Sequence, residues 1–154
     1  MPNITDLTQR IDSKTLNFVL LTLATGGIYP ILWLYRNFPT IDEITKASTA
    51  SNTYIIWIAV CVGLGNTLAG NEEIAAVGVL LLLAANILYI VWAFSAKKAL
   101  EEYALREFRI DLRMNAFYTI FFNLYYINYT INSLPDALRR QKMLSNDTGA
   151  AANE

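Results

Sequence analysis

The chain has 154 residues, 55% hydrophobic and only 16% charged, with a mean hydropathy of +0.33; an ordinary soluble domain carries about 25% charged residues. That balance points to an integral membrane protein, and a formal net charge of -1 supplies no global attraction to nucleic acid. With no His and a single Cys, Cys61, the inventory excludes internal disulfides, zinc sites and His-based triads.

The opening MPNITDLTQRIDSKTLNF mixes polar residues with both signs of charge. It lacks the basic start and small-residue cleavage site of a signal peptide, so the N-terminus reads as retained. The first apolar segment covers residues 16–35. Within it TLATGGIYPILWLYRNF, Thr22 to Phe38, is interrupted by Gly26, Gly27 and Pro30. Proline removes a backbone donor and glycine permits turn geometry, so the helix is expected to break there. Such backbone survives at membrane depth only where protein covers it or water lines it. Thr40 and Glu43 then have the spacing of a capping box, expected to start a short aqueous helix. Asp42 and Glu43, like Glu72 and Glu73, are neighbours that would point about 100° apart on a helix, and they read as solvated loop acids rather than an acid–base couple.

Residues 53–69 and 74–96 are the clearest spans. The first opens with Tyr54 and Trp57, aromatics suited to the headgroup level, and the second is closed by Lys97 and Lys98. Neither carries a charge, and both approach the length that crosses about 30 Å of hydrocarbon. Only AGNEE separates them, which predicts a tight antiparallel hairpin. Gly63, Gly65 and Gly70 would allow close helix packing, and Asn66, Thr67 and Asn86 would hydrogen-bond between helices. Transport usually requires ionisable groups within spans, and these have none.

Past the second span, residues 97–113 read as an amphipathic basic helix. Leu100, Ala104, Phe108 and Leu112 recur every four residues, Tyr103 and Leu105 widen the stripe, and Glu102 with Arg106 forms an i,i+4 pair. It is expected to pack on the protein's own aqueous face or to meet a partner or anionic lipid. Residues 115–134 form the last apolar segment, with Tyr118, Tyr125, Tyr126 and Tyr129 interleaved with Asn115, Asn123, Asn128 and Asn132. That is too polar for a lipid-facing helix and suits a headgroup-level or protein-buried one, whose amides could serve the broken backbone of the first segment. Ser133 and Asp136 repeat the capping-box spacing, and residues 145–154 read as a disordered tail.

The two outer segments echo one another at an offset of 96 residues: Ile28-Tyr29 falls on Leu124-Tyr125, Ile31 on Ile127, Trp33 on Tyr129, and Phe38-Pro39 on Leu134-Pro135. The positions of the 12 Lys and Arg bear on how these segments are threaded, because such residues concentrate on the cytoplasmic side. Four full spans would divide them 5 against 7, and three would divide them 2 against 10. If only the central hairpin crosses, the division is 12 against 0, with acidic AGNEE alone on the far side. The expected fold is therefore an all-α integral membrane protein, a central transmembrane hairpin flanked by two broken, re-entrant or interfacial aromatic-rich segments. Three or four full transmembrane helices are the alternative.

Thr25, Gly27, Ile28, Tyr29, Trp33 and Tyr35 fit a leading motif T-x-G-I-Y-x-x-x-W-x-Y, followed here by Arg36 and Asn37. In this motif, its apolar helices and its aromatic, Asn-containing end, the chain resembles a bacterial family of small membrane proteins, the domain-of-unknown-function 4234 family. The resemblance covers about Leu16 to Leu138 and departs at Gly26, a second glycine that loosens the turn. It implies a bacterial inner-membrane location and carries no activity.

No P-loop occurs, and Gly63-Leu64-Gly65 lacks the continuation of a dinucleotide fingerprint. The chain therefore reads as a non-enzymatic accessory or interaction protein, such as a subunit, assembly factor or toxin-immunity protein, with most Lys and Arg and both termini cytoplasmic. The expected partners are the lipid bilayer and a membrane protein or a second copy, with no nucleic acid, metal or cofactor. The alternative is a lipid- or small-molecule-binding module, or an oligomeric channel or transporter. Its site would lie between the two broken segments, lined by Tyr29, Trp33, Tyr35, Arg36, Tyr125, Tyr129 and Asn132, with Arg36 suited to a phosphate or carboxylate.

Overall fold

A computed structural model describes residues 5–151. The described residues contain helices and no strand: α1 (Thr5–Ile11), α2 (Thr15–Ala24), α3 (Tyr29–Thr45), α4 (Asn52–Ala69), α5 (Ala75–Phe108) and α6 (Ala116–Ala151). Two of them, α4 and α5, are long and apolar enough to cross a membrane. Only 17% and 22% of their apolar stretches are buried, whereas the core helix of a soluble protein would be mostly buried.

Helices α4 and α5 form the expected hairpin, joined at its tip by residues 70–74. Gly78 makes it tight: a Cβ there would overlap the Ala69 backbone nitrogen and lie 2.7 Å from the Gly65 carbonyl oxygen. At Gly65 a Cβ would lie 2.9 Å from Leu82 Cγ. Gly63 faces open space and Gly70 caps α4, so of the three expected packing glycines only Gly65 acts so, and Gly78 supplies the other half of the contact. The interhelical hydrogen bonds expected of Asn66 and Thr67 do not form either. Each donates to the carbonyl four residues back in its own helix, Val62 at 2.9 Å and Gly63 at 3.0 Å. The cross-link between the helices comes from Tyr54, whose hydroxyl turns inward to the Leu88 carbonyl at 2.5 Å.

The first outer segment is a helix, a turn and a helix. Thr25 ends α2, and a Schellman arrangement follows, with Gly26 N–H bonded to Leu23 O and Gly27 N–H to Thr22 O. Both glycines have positive φ, +58° and +91°, which side chains rarely adopt. The Thr25 hydroxyl accepts the Tyr29 N–H at 3.0 Å, so one residue closes α2 and opens α3. Pro30 does not break a helix as expected. It lies in the first turn of α3, where its missing N–H costs no bond. The break belongs to the glycines, whose N–H groups are satisfied within the turn rather than by the distant asparagines.

The last segment breaks at the equivalent place. Asn123, 96 residues after Gly27, has φ +21° and ψ −103° inside α6, outside the helical region. Prolines follow both breaks in the same register, Pro39 inside α3 and Pro135 inside α6. Helix runs through both, so no new helix starts at Thr40 or Ser133. Pro135 leaves the Ile131 carbonyl without its intrahelical donor, and the Thr8 hydroxyl of α1 occupies it at 3.0 Å.

Helix α5 ends at Phe108, short of the expected residue 113, with Arg109 in the left-handed region as C-cap. Within 97–108 three basic residues face Glu101, Glu102 and Glu107, so this helix is charge-balanced rather than basic. Glu102 pairs with Lys98 at 3.7 Å, while Arg106 takes Glu107 at 2.9 Å and the Thr45 carbonyl at 3.0 Å, so the expected Glu102–Arg106 pair is absent. Leu105 is exposed instead of widening the buried stripe. Glu101 accepts Lys97 Nζ at 3.1 Å and the Met114 N–H at 2.8 Å, which fixes the extended linker that follows. Helix α6 covers residues 145–151 of the tail read as disordered; 152–154, like 1–4, lie outside the described residues.

Both outer segments return to the end of the molecule at which they start. Helix α1, before the first, is tied to the end of α3 by Arg10 and Glu43 at 2.9 Å. The linker before α6 is tied to its later part by Gln141 Nε2 and the Arg109 carbonyl at 2.9 Å. This end holds the core, built from Leu7, Phe18, Trp33, Trp92, Tyr103 and Ile127 among others. Glu72 and Glu73 sit alone at the opposite tip, about 27 Å away along the 18 residues of α4.

Candidate functional site

Helix α2 buries one side chain, Phe18, and faces outward with Leu16, Leu20, Leu21 and Leu23. Phe18 gathers the aromatics. Trp33 stacks on it at 4.9 Å and 17°, Tyr29 meets it edge-on at 5.5 Å, and Tyr125 tilts against it at 4.7 Å. Trp33 in turn meets Trp92 edge-on at 6.3 Å. Trp92 donates its Nε1–H to Thr49 at 3.3 Å, and the Thr49 hydroxyl donates to Asp42 at 2.6 Å. Asp42 also accepts the Thr49 N–H at 2.9 Å. It is therefore the anchor of the α3–α4 loop, not the solvated loop acid that its neighbourhood in the sequence suggests.

The seven expected site residues do not line one site between the broken segments. Tyr29, Trp33 and Arg36 line a cavity of about 420 Å3 under the α1–α2 corner, together with Arg10, Asp12 and Ser13. Tyr125 and Tyr129 line an apolar groove of about 550 Å3 against Thr15 and Val19 of α2. Asn132 is spent on structure: its Nδ2 donates to the Ser13 carbonyl at 2.9 Å and approaches Thr15 Oγ1 at 3.4 Å, beside Asn128, which reaches the same hydroxyl at 3.2 Å. Tyr35 is exposed and lines neither space. Phe18 joins the two groups, and it passed unnoticed in the sequence because one phenylalanine in an apolar run carries no spacing signal.

The two arginines of the cavity differ. Arg10 makes a bidentate pair with Glu43 at 3.0 and 2.9 Å. That hydrogen bonding, with the charge attraction behind it, raises the Arg10 pKa and lowers that of the Glu43 carboxyl. Arg36 has no hydrogen-bond or acidic partner among the described residues. Trp33 is 2% exposed, and its indole N–H is buried without an acceptor. No group of three potential metal ligands converges among the described residues.

No family model, curated protein or solved structure matches this chain.

Proposed function

We propose that this chain is a non-enzymatic accessory or interaction protein of the bacterial inner membrane, crossing twice through α4 and α5 with its charged end in the cytoplasm. The observation that carries this reading is the outward apolar surface of the hairpin: Leu64, Leu80, Leu83 and Ile87 are each at least half exposed. Leaving the ten exposed large apolar residues from Val60 to Phe94 against water would forgo about 1 kcal/mol apiece, a sum comparable to the whole stability of a domain. Lipid removes that cost. The return of both outer segments to one end supports the two-span arrangement over three or four spans, because it leaves every described Lys and Arg on one side. The resemblance to the domain-of-unknown-function 4234 family agrees with the bacterial location.

An aromatic face formed by Phe117, Phe121 and Phe122 on the first turns of α6 is the surface offered to a membrane-protein partner. In a Cys61→Ser background, cysteines replacing Lys46 and Arg139 are expected to label only from the cytoplasm, and one replacing Glu72 only from outside. Labelling of Lys46Cys from outside would overturn the two-span reading. A photocrosslinker at Phe121 is expected to give a discrete protein adduct at native expression; lipid adducts alone would count against an interaction protein.

A further inference from the structure

We infer that the cavity under the α1–α2 corner binds the phosphodiester of a phospholipid headgroup, with the Arg36 guanidinium as its donor. The inference rests on the membrane placement proposed above.

Two observations converge on the cavity of about 420 Å3. Its lining residues Tyr29, Trp33 and Arg36 follow one another at i, i+4 and i+7 on α3 and so share a face. Arg36 is the cation left without a partner, while Arg10 beside it is neutralised by Glu43. A guanidinium presents paired donors that match phosphate oxygens, and such charge-assisted bonds are about twice as strong as neutral ones.

The surroundings select a lipid diester over free phosphate. Asp12 lines the cavity and is exposed, so it repels a dianion more than a monoanionic diester. Leu32 also lines the cavity and is 56% exposed. With Ile28, equally exposed one turn before it, Leu32 continues the opening onto the outward apolar surface of the first segment, where acyl chains would lie. A headgroup seated here would hold the broken first segment at the cytoplasmic lipid boundary.

The test is native mass spectrometry of the full chain in mild detergent, titrated with phosphatidylglycerol or inorganic phosphate. The wild type is expected to retain one phosphatidylglycerol, and Arg36→Gln to bind it on the order of tenfold more weakly, as the loss of one charge-assisted contact implies. Equal retention by Arg36→Gln would overturn the proposal. So would displacement of phosphatidylglycerol by millimolar inorganic phosphate. Arg36 is exposed, so its replacement leaves the fold intact, and unchanged helical circular dichroism checks this. Failure of the membrane reading is separable: a chain that does not insert into vesicles refutes that reading, whereas one that inserts and retains no phosphatidylglycerol refutes only the headgroup site.

Discussion

The outer half of the α4–α5 hairpin and the bundle at its base are held together by opposite means. In the outer half, two helices meet backbone to backbone at Gly65 and Gly78, Asn66 and Thr67 bond to their own helix, and the large side chains point away. At the base, all six helices contribute to a core around aromatic rings, and several polar groups are paired across long sequence distances, as in Trp92–Thr49–Asp42 and Thr8–Ile131. An outer half in lipid needs only satisfied backbone and close approach, since side chains gain nothing by turning inward. A base at the water boundary needs a core, and there the carbonyl that Pro135 sets free finds its partner in Thr8.

The sharpest way to break this contrast is at the aromatic hub. Phe18→Ala removes the ring on which Tyr29, Trp33 and Tyr125 converge, and is expected to destabilise the bundle by about 3–5 kcal/mol. Thermal unfolding in detergent should show that loss while crosslinking across α4 and α5 persists; loss of both together would mean that the two regions are one cooperative unit.

Gly78→Ala attacks the other side of the comparison. A single methyl there collides with backbone, which cannot rotate away, and about 1–3 kcal/mol of hairpin stability is expected to go. Gly63→Ala, facing open space, is the matched control and should change little. Equal effects of the two would refute the close approach.

Thr8→Val keeps its shape and leaves the Ile131 carbonyl without a donor, at a cost of about 1 kcal/mol. Combined with Pro135→Ala, which restores the intrahelical N–H, the same change should become nearly neutral. A double-mutant cycle showing no coupling would mean that Thr8 does not compensate for the proline.

The smallest effect is expected at the exposed Arg10–Glu43 pair. The Glu43 carboxyl is held below its ordinary value, so its contribution is complete above about pH 4.3, the unfolded carboxylate range, and disappears as pH falls through the folded value. Unfolding of Glu43→Gln should therefore differ slightly from wild type at pH 7 and converge with it in acid. A difference that grew on acidification would have the wrong sign.

Much of the fold was legible in the sequence because it follows from local chemistry. Two charge-free stretches joined by AGNEE can only pair with each other, and Gly26-Gly27 must turn. The candidate site was legible only as residue types: Tyr29, Trp33 and Arg36 fall on one face of α3 by spacing alone, but their separation from Tyr125 and Tyr129 depends on where Phe18 sits. The premature end of α5 was hidden, since its apolar stripe continues to Leu112 and nothing local marks Arg109 as a left-handed cap.

The sequence by itself determined the all-helical character, the apolar hairpin and the two breaks, because helix propensity, hydropathy and positive φ are properties of a residue and its near neighbours. Only the tertiary structure decided that both broken segments turn back to one end, that Gly78 rather than Gly63 carries the close contact, and that Asn132 is a tether rather than a binding group. Those outcomes depend on which surfaces meet. The carbonyl that Pro135 sets free acquires its significance only when Thr8, 123 residues away in the chain, is folded against it.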